Sequence, residues 1–302
     1  MRILVTGGSG MVGKHLKDIL PDAYYLSSLQ CNLKNYGDID NLIKTLKFDT
    51  VIHLAAKVGG IKANIESPVD YFEENLLINT NVLKAAHQNG VERFIGILST
   101  CAYPDVVDSY PMTEEDLHKG PPAPTNFGYG YAKRCLAVQI DAYNKQYGTK
   151  YQYLIPSNLY SEYEHKDEKN THFLNALVEK IIKAEQEGKK EITLWGTGKP
   201  LRQFTYALDL AKTISYIVDK DITESFNVSY PFNHSIHDMA VIALFVLGHS
   251  DWDINFIHPE LDGQYRKDVS VDKMLNYIPG FEFTPLDKGI KIIYDTISKR
   301  HN

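Results

Sequence analysis

No apolar stretch in these 302 residues approaches the roughly 20 needed for a helix to span a bilayer, so no transmembrane helix is expected. No long run of lysine or arginine appears either. The formal net charge is −6, which makes nucleic acid an unexpected partner. Only three cysteines occur, Cys31, Cys101 and Cys135, and their positions follow no metal-ligand spacing. No metal site is therefore expected. The odd count argues for free thiols in a reducing cytoplasm rather than a disulfide framework. No cleavable leader is expected either, because MRILVTGG reads directly as a strand and a glycine turn. Internal repeats, low-complexity tracts and flexible linkers are all absent. That leaves a chain long enough for one large domain or two interleaved ones.

What is present begins at the N-terminus. Arg2 to Thr6 form a short apolar, β-branched run that predicts a buried parallel strand. TGGSGMVG follows, then KHLKDIL with helical periodicity. Strand, glycine turn and helix in this order suit a dinucleotide. Gly7, Gly10 and Gly13 let the backbone turn tightly, approach a pyrophosphate and pack helix against strand, while Met11 and Val12 open the helix whose amides meet the anion. FDTVIHLAAKVGG predicts another strand that breaks into small residues, and Ala55 and Ala56 would let the chain pass close to the cofactor. Lys57 reads equally well as a solvated lysine, and His53, in mid-strand, as a satisfied core histidine.

The second strand is predicted over AYYLSS, ending at Ser27 and Ser28. An NAD-binding site usually has a carboxylate here for the ribose 2′-hydroxyl. None is present, which removes repulsion of a 2′-phosphate and favours NADP(H). No arginine grips that phosphate, but Ser9, Ser27 and Ser28 can donate hydrogen bonds. Asn32 and Leu33 are candidates for the adenine pocket.

ERFIGILSTCAYP supplies a strand ending at Ser99, and thirty positions later comes Tyr129-x-x-x-Lys133. Positions i and i+4 share a helix face. The lysine charge is expected to lower the tyrosine's pKa, so that the phenol can exchange a proton near neutrality. Ser99 can hydrogen-bond a substrate carbonyl. Tyr216 and Lys220 repeat the spacing without a serine strand end before them, and read as an ordinary helix face.

The glycine turn, the Ser99 strand and the Tyr129–Lys133 helix resemble the extended short-chain dehydrogenase/reductase family. HLAAKVGGI, LSTCAYP, NFGYGYAKR, NTHFLNAL and LWGTGKPLRQF, in that order, are similar to its nucleotide-sugar epimerase/reductases over nearly the whole chain. The resemblance implies an α/β fold, a doubly wound (Rossmann) parallel sheet with a smaller interleaved substrate lobe. The NADP-binding domain is expected over 1–160, about 204–240 and 286–302. The nucleotide-sugar lobe is expected over about 161–203 and 241–285. It also implies a homodimer through the helices around residues 69–88 and 131–148, whose apolar faces could instead be buried within one subunit.

Alone, Cys101 reads as a small buried thiol, as most free cysteines are. The resemblance implies that it is a base and that His172 is the acid on the opposite sugar face, with His172 and Lys133 also touching cofactor. His172 alone reads as an exposed loop histidine, and His165 nearby as solvated. The implied activity is 3,5-epimerisation and NADPH-dependent 4-reduction of GDP-4-keto-6-deoxy-D-mannose, giving GDP-L-fucose. Implied substrate contacts are Asn158, Lys180, Trp195, Arg202 and Lys267. Core packing for Trp195, a surface ion pair for Arg202 and a solvated position for Lys267 are the alternatives. Lys180 stands where the family has arginine. NLYSEY replaces the usual NLYGP, with Ser161 and Glu162 in place of glycine and proline. Such changes leave open a related 4-keto sugar nucleotide of the colitose or 6-deoxyheptose type, with reduction alone possible. A 4,6-dehydratase lacks support because Thr100 and Cys101 stand where its acidic pair would be. A non-catalytic NADP-binding regulator goes against the presence of both Tyr129 and Lys133.

Overall fold

The computed structural model describes residues 1–164 and 171–301. His165 lies outside the described residues. The chain opens with β1 (Ile3–Thr6), α1 (Met11–Ile19), β2 (Tyr24–Leu26), α2 (Tyr36–Leu46) and β3 (Thr50–His53). It continues through α3 (Ile61–Glu66), α4 (Pro68–Gln88), β4 (Arg93–Ile97), α5 (Phe127–Tyr147) and β5 (Gln152–Pro156). The strands are short, apolar and β-rich, and β1, β3 and β4 are buried throughout, as a parallel strand covered on both faces must be. After these come β6 (Asn158–Tyr160), α6 (Phe173–Gln186), β7 (Glu191–Trp195), β8 (Leu201–Arg202), β9 (Phe204–Tyr206) and α7 (Ala207–Asp219). The chain ends in β10 (Phe226–Val228), β11 (His234–Ser235), α8 (Ile236–Val246), β12 (Asp253–Ile257), α9 (Asp272–Tyr277) and α10 (Leu286–His301).

Six strands form one parallel sheet in the order β10-β5-β4-β3-β1-β2. Side-chain alternation along each strand feeds a different layer. Leu4, Val51, Phe94 and Ile155 join α2, α4 and α5 on one face. Val5, Ile52, Ile95 and Leu154 join α1 and α7 on the other. This is a doubly wound sheet. Its order reverses at β1, between β2 and β3, and such a switch point opens a crevice at the strand C-termini. β2 stops at Leu26, so Ser27 and Ser28 lie in the turn beyond it rather than at the strand end.

A second core gathers α6, α8 and α10 with β7 and β9. β7 pairs with β12, β8 with β11, and β6 with β9. The packing corrects the expected partition in two places. Residues 286–301 do not cover the large sheet. Ile290, Ile293 and Ile297 of α10 are buried in the second core instead, each contributing about 1.5–3 kcal/mol. Residues 269–278 go the other way. Val269 pairs with Met112, and Met274 of α9 and Ile278 just after it pack beneath the large sheet. Apolar periodicity marks a buried stripe but not which sheet covers it, and α9 and α10 exchanged places for that reason. Among the described residues, no helix is long and apolar enough to cross a membrane.

Candidate active site

A single cavity of about 1310 Å³ opens at the strand C-termini and runs into the second lobe. At one end lies the glycine turn. Gly7 has φ +71°, and a Cβ there would meet the Ala55 amide nitrogen at 2.8 Å. A Cβ on Gly13 would come within 2.7 Å of the Gly7 carbonyl oxygen, so α1 can approach β1 only because that position is glycine. No side chain caps the N-terminus of α1 and no acidic residue sits in its first turn. Its amides therefore face the cavity beside Gly7, Gly10, Met11, Val12 and Gly13. This donor set fits a dinucleotide pyrophosphate. Ala55 and Ala56 line the same end, with Ser27, Ser28, Asn32 and Leu33 farther out. The Ser27 hydroxyl donates to Gln30 Oε1 at 2.9 Å. Lys57 is not merely solvated, since its ammonium bonds Glu74 at 2.5 Å and Asp70 at 3.3 Å.

In the middle sit Ser99, Tyr129 and Lys133. β4 ends just before Ser99, which caps a single 3-10 turn by accepting from the Cys101 amide at 3.2 Å. Tyr129 and Lys133 follow on one face of α5, with the ammonium 5.7 Å from the phenol ring centre. The expected lowering of the tyrosine's pKa is not found. Burial pushes the Tyr129 hydroxyl up, nearby Cys101 adds to this, and a hydrogen bond with Ser99 only partly offsets both. Lys133 is buried and donates to the Ile97 carbonyl at 2.7 Å. Its charge lies over the ring face rather than beside the hydroxyl. Burial lowers the lysine to about 8. Behind it His53 is a satisfied core residue, bonded to Thr6 at 2.8 Å and Asn79 at 3.1 Å.

Cys101 projects from the 3-10 turn, half-buried, with Sγ 3.6 Å from the Lys267 ammonium. Burial pushes its thiol up. The Lys267 charge, a hydrogen bond with Ser99 and the Arg202 charge outweigh that and hold it below its ordinary value. His172 precedes α6 and lines the same cavity. Its backbone amide donates to Glu164 Oε1 at 2.8 Å, and its Nδ1 is hydrogen-bonded to the same oxygen. Glu164 Oε2 is buried with no hydrogen-bond partner.

The far end holds the remaining residues. Asn158 donates to the Gln203 carbonyl at 2.8 Å. Lys180 reaches the Thr193 carbonyl at 2.8 Å, tying α6 to β7. Trp195 is 57% exposed, which excludes core packing for it, and its ring meets His258 edge-on. Arg202 is only 9% exposed and bonds the Leu201 carbonyl at 2.7 Å, so it is not a surface ion pair. Every residue assigned from the sequence to catalysis, cofactor or substrate lines this one cavity. Two contributors were missed. Glu164 lay within a charged run that reads as solvated surface. Asp262 fastens the rim turn by accepting from the Thr197 amide and hydroxyl, both at 2.6 Å, and nothing local links positions so far apart.

The described metal-ligating side chains form no cluster that could hold an ion. Residues 3–229 match the model of the NAD dependent epimerase/dehydratase family. Over 299 residues the chain is 36% identical to a GDP-L-fucose synthase of Dictyostelium discoideum, covering 96% of this chain and 92% of that protein. It is 35% identical to a GDP-L-colitose synthase of Yersinia pseudotuberculosis, over 82% of this chain and 83% of that one. Among solved structures, a GDP-L-fucose synthetase from Naegleria fowleri bound to NADP superposes with a TM-score of 0.88 at 31% identity. That match covers 99% of this chain and 93% of the other.

Proposed function

The chain belongs to the NAD dependent epimerase/dehydratase family, and on that premise we propose that it is an NADPH-dependent 3,5-epimerase and 4-reductase converting GDP-4-keto-6-deoxy-D-mannose to GDP-L-fucose. The observation that carries this reading is the pairing of two proton-transfer sites in one cavity. Ser99 and Tyr129 serve a carbonyl, and Cys101 and His172 serve the adjacent carbons. A reductase alone has no use for the second pair.

Cys101, held below its ordinary pKa, takes the proton from C3. The C–H electron pair moves into a C3–C4 double bond and the carbonyl pair moves onto O4. The Ser99 and Tyr129 hydroxyls donate hydrogen bonds to that oxygen. His172 delivers a proton to C3 from the other face, with Glu164 fixing its Nδ1. Solvent resets both groups before the same exchange at C5. The α1 N-terminus, Gly7, Gly10 and Lys133 would hold NADPH, which supplies hydride for C4 when bound. Tyr129, kept protonated by burial, gives its proton to O4. Asn158, Lys180, Trp195 and Arg202 form the nucleotide-sugar end, Arg202 offering a diphosphate its planar fork. A cytoplasmic site of action goes with a base that works as a free thiol. A homodimer through α4 and α5 goes with the exposed Val69, Leu77 and Val138 on those helices.

Incubating the protein with NADPH and the 4-keto sugar in heavy water tests the reading. NADPH consumption with deuterium at C3 and C5 of the product is expected. Consumption without deuterium would make the protein a simple 4-reductase. The Yersinia relative and the NLYSEY segment favour a second reading, the same chemistry on a related 4-keto nucleotide sugar. No consumption on the mannose derivative, with turnover on such a sugar, would select it.

A further inference from the structure

We propose that Lys267 is the positioning residue that keeps Cys101 in its thiolate form, so that the base exists as one half of a Cys101–Lys267 ion pair. This deepens the epimerase reading and rests on it for the role of Cys101. The two residues come from distant parts of the chain. Cys101 follows β4 of the large sheet, whereas Lys267 lies in the return segment beyond β12.

That segment is pinned on both sides of the lysine. The Leu201 amide donates to the Tyr265 carbonyl at 2.8 Å, and the Met112 amide donates to the Asp268 carbonyl at 2.9 Å. The Tyr110 hydroxyl holds the Arg266 carbonyl at 3.0 Å. With its backbone fixed in this way, Lys267 brings its ammonium to 3.6 Å from Sγ. The neighbouring charges are spent elsewhere. Arg266 donates to both oxygens of Asp268, and Asp262 is held by Thr197. Burial holds the Lys267 ammonium below its ordinary value and Arg202 adds to this, while the Cys101 charge and hydrogen bond offset part of it. The groups facing the sulfur are therefore Lys267, Arg202, Ser99 and Tyr129.

The chemistry follows from this arrangement. A thiol removed from water stays protonated unless a cation compensates its charge. The Arg202 charge acts on the thiol less than Lys267 does, and its guanidinium is turned to the Leu201 and Tyr265 carbonyls. Lys267 makes the contact. Its task is thus at the base rather than at the diphosphate of the nucleotide.

The test is pH-dependent alkylation by iodoacetamide, with the Cys101 peptide quantified by mass spectrometry, in the wild type, Lys267→Gln and Lys267→Arg. The wild-type midpoint should lie below the usual thiol value of about 8.5. Lys267→Gln should raise it by about one unit or more, cutting the rate at pH 7 about tenfold. Lys267→Arg should keep most of the depression because it keeps the charge. An ordinary or raised midpoint in the wild type overturns the proposal without any variant. So does a midpoint unmoved in Lys267→Gln, or equally raised in Lys267→Arg. Alkylation of Cys31 and Cys135 in the same samples reports whether the fold is intact. A depressed, Lys267-dependent midpoint in a protein that places no deuterium at C3 or C5 would uphold the pair while removing the epimerase reading.

Discussion

Tyr129 and His172 are both assigned as proton donors, and the fold prepares them differently. Tyr129 keeps its proton because it is buried beside Cys101. His172 is half-exposed and aimed by Glu164, eight residues earlier. Tyr129→Phe should therefore lower 4-reduction by about 10²–10⁴-fold, as expected for loss of a general acid, in a stopped assay of NADPH oxidation. Glu164→Gln should act elsewhere. Deuterium entry at C3 and C5 should slow about tenfold or more, as when a partner that orients an imidazole is lost, with reduction of an already epimerised ketone little changed. Equal losses in both assays would show Glu164 to be a scaffold residue. The serine, tyrosine and lysine were legible because each has a local signature, a strand end or an i, i+4 spacing. Glu164 had none. Its role depends on the chain turning back at Ser161, where the Ser161 and Glu162 side chains bond each other and His15 approaches both.

At the scale of elements, β1, β3, β4 and α1 could be read because burial on both faces, or on one stripe, forces an apolar pattern. β6, β8, β9 and β11 have two or three residues each, too few for any period to show. The junction of β1 and α1 yields a prediction. Gly13→Ala places a methyl group 2.7 Å from backbone atoms of Gly7 and Gly8. Thermal or urea unfolding should show a loss of about 1–3 kcal/mol, with weakened NADPH binding by fluorescence titration. β3 yields another. Burial, and then the Lys133 charge, lower the His53 imidazole to about 3. The unfolded chain takes up that proton near 6.5, so it binds more protons than the folded one between these values. Stability then falls as pH drops through that window, by about 1.4 kcal/mol per unit from this group. Urea midpoints at pH 7 and pH 5 should differ accordingly, and His53→Gln should flatten the dependence.

For the molecule as a whole, the exposed residues of α4 and α5 carry the expectation of a dimer. Leu77→Glu combined with Val138→Glu should give a monomer by light scattering, while a dimer in the double variant would move the interface elsewhere. Which sheet each helix packs against was not legible in the sequence. Three-dimensional packing sends Met274 of α9 beneath the large sheet and the isoleucines of α10 against α6 and α8. That exchange has a consequence in time. A ribosome releases α10 after every other element of the core that carries His172. Until then Leu177 and Ile181 of α6 and Leu244 of α8 await the helix that covers them. The nascent protein thus holds a nearly finished nucleotide fold beside an open, sticky half-lobe. Chaperones and proteases would sample this chain mainly through the half that binds the sugar.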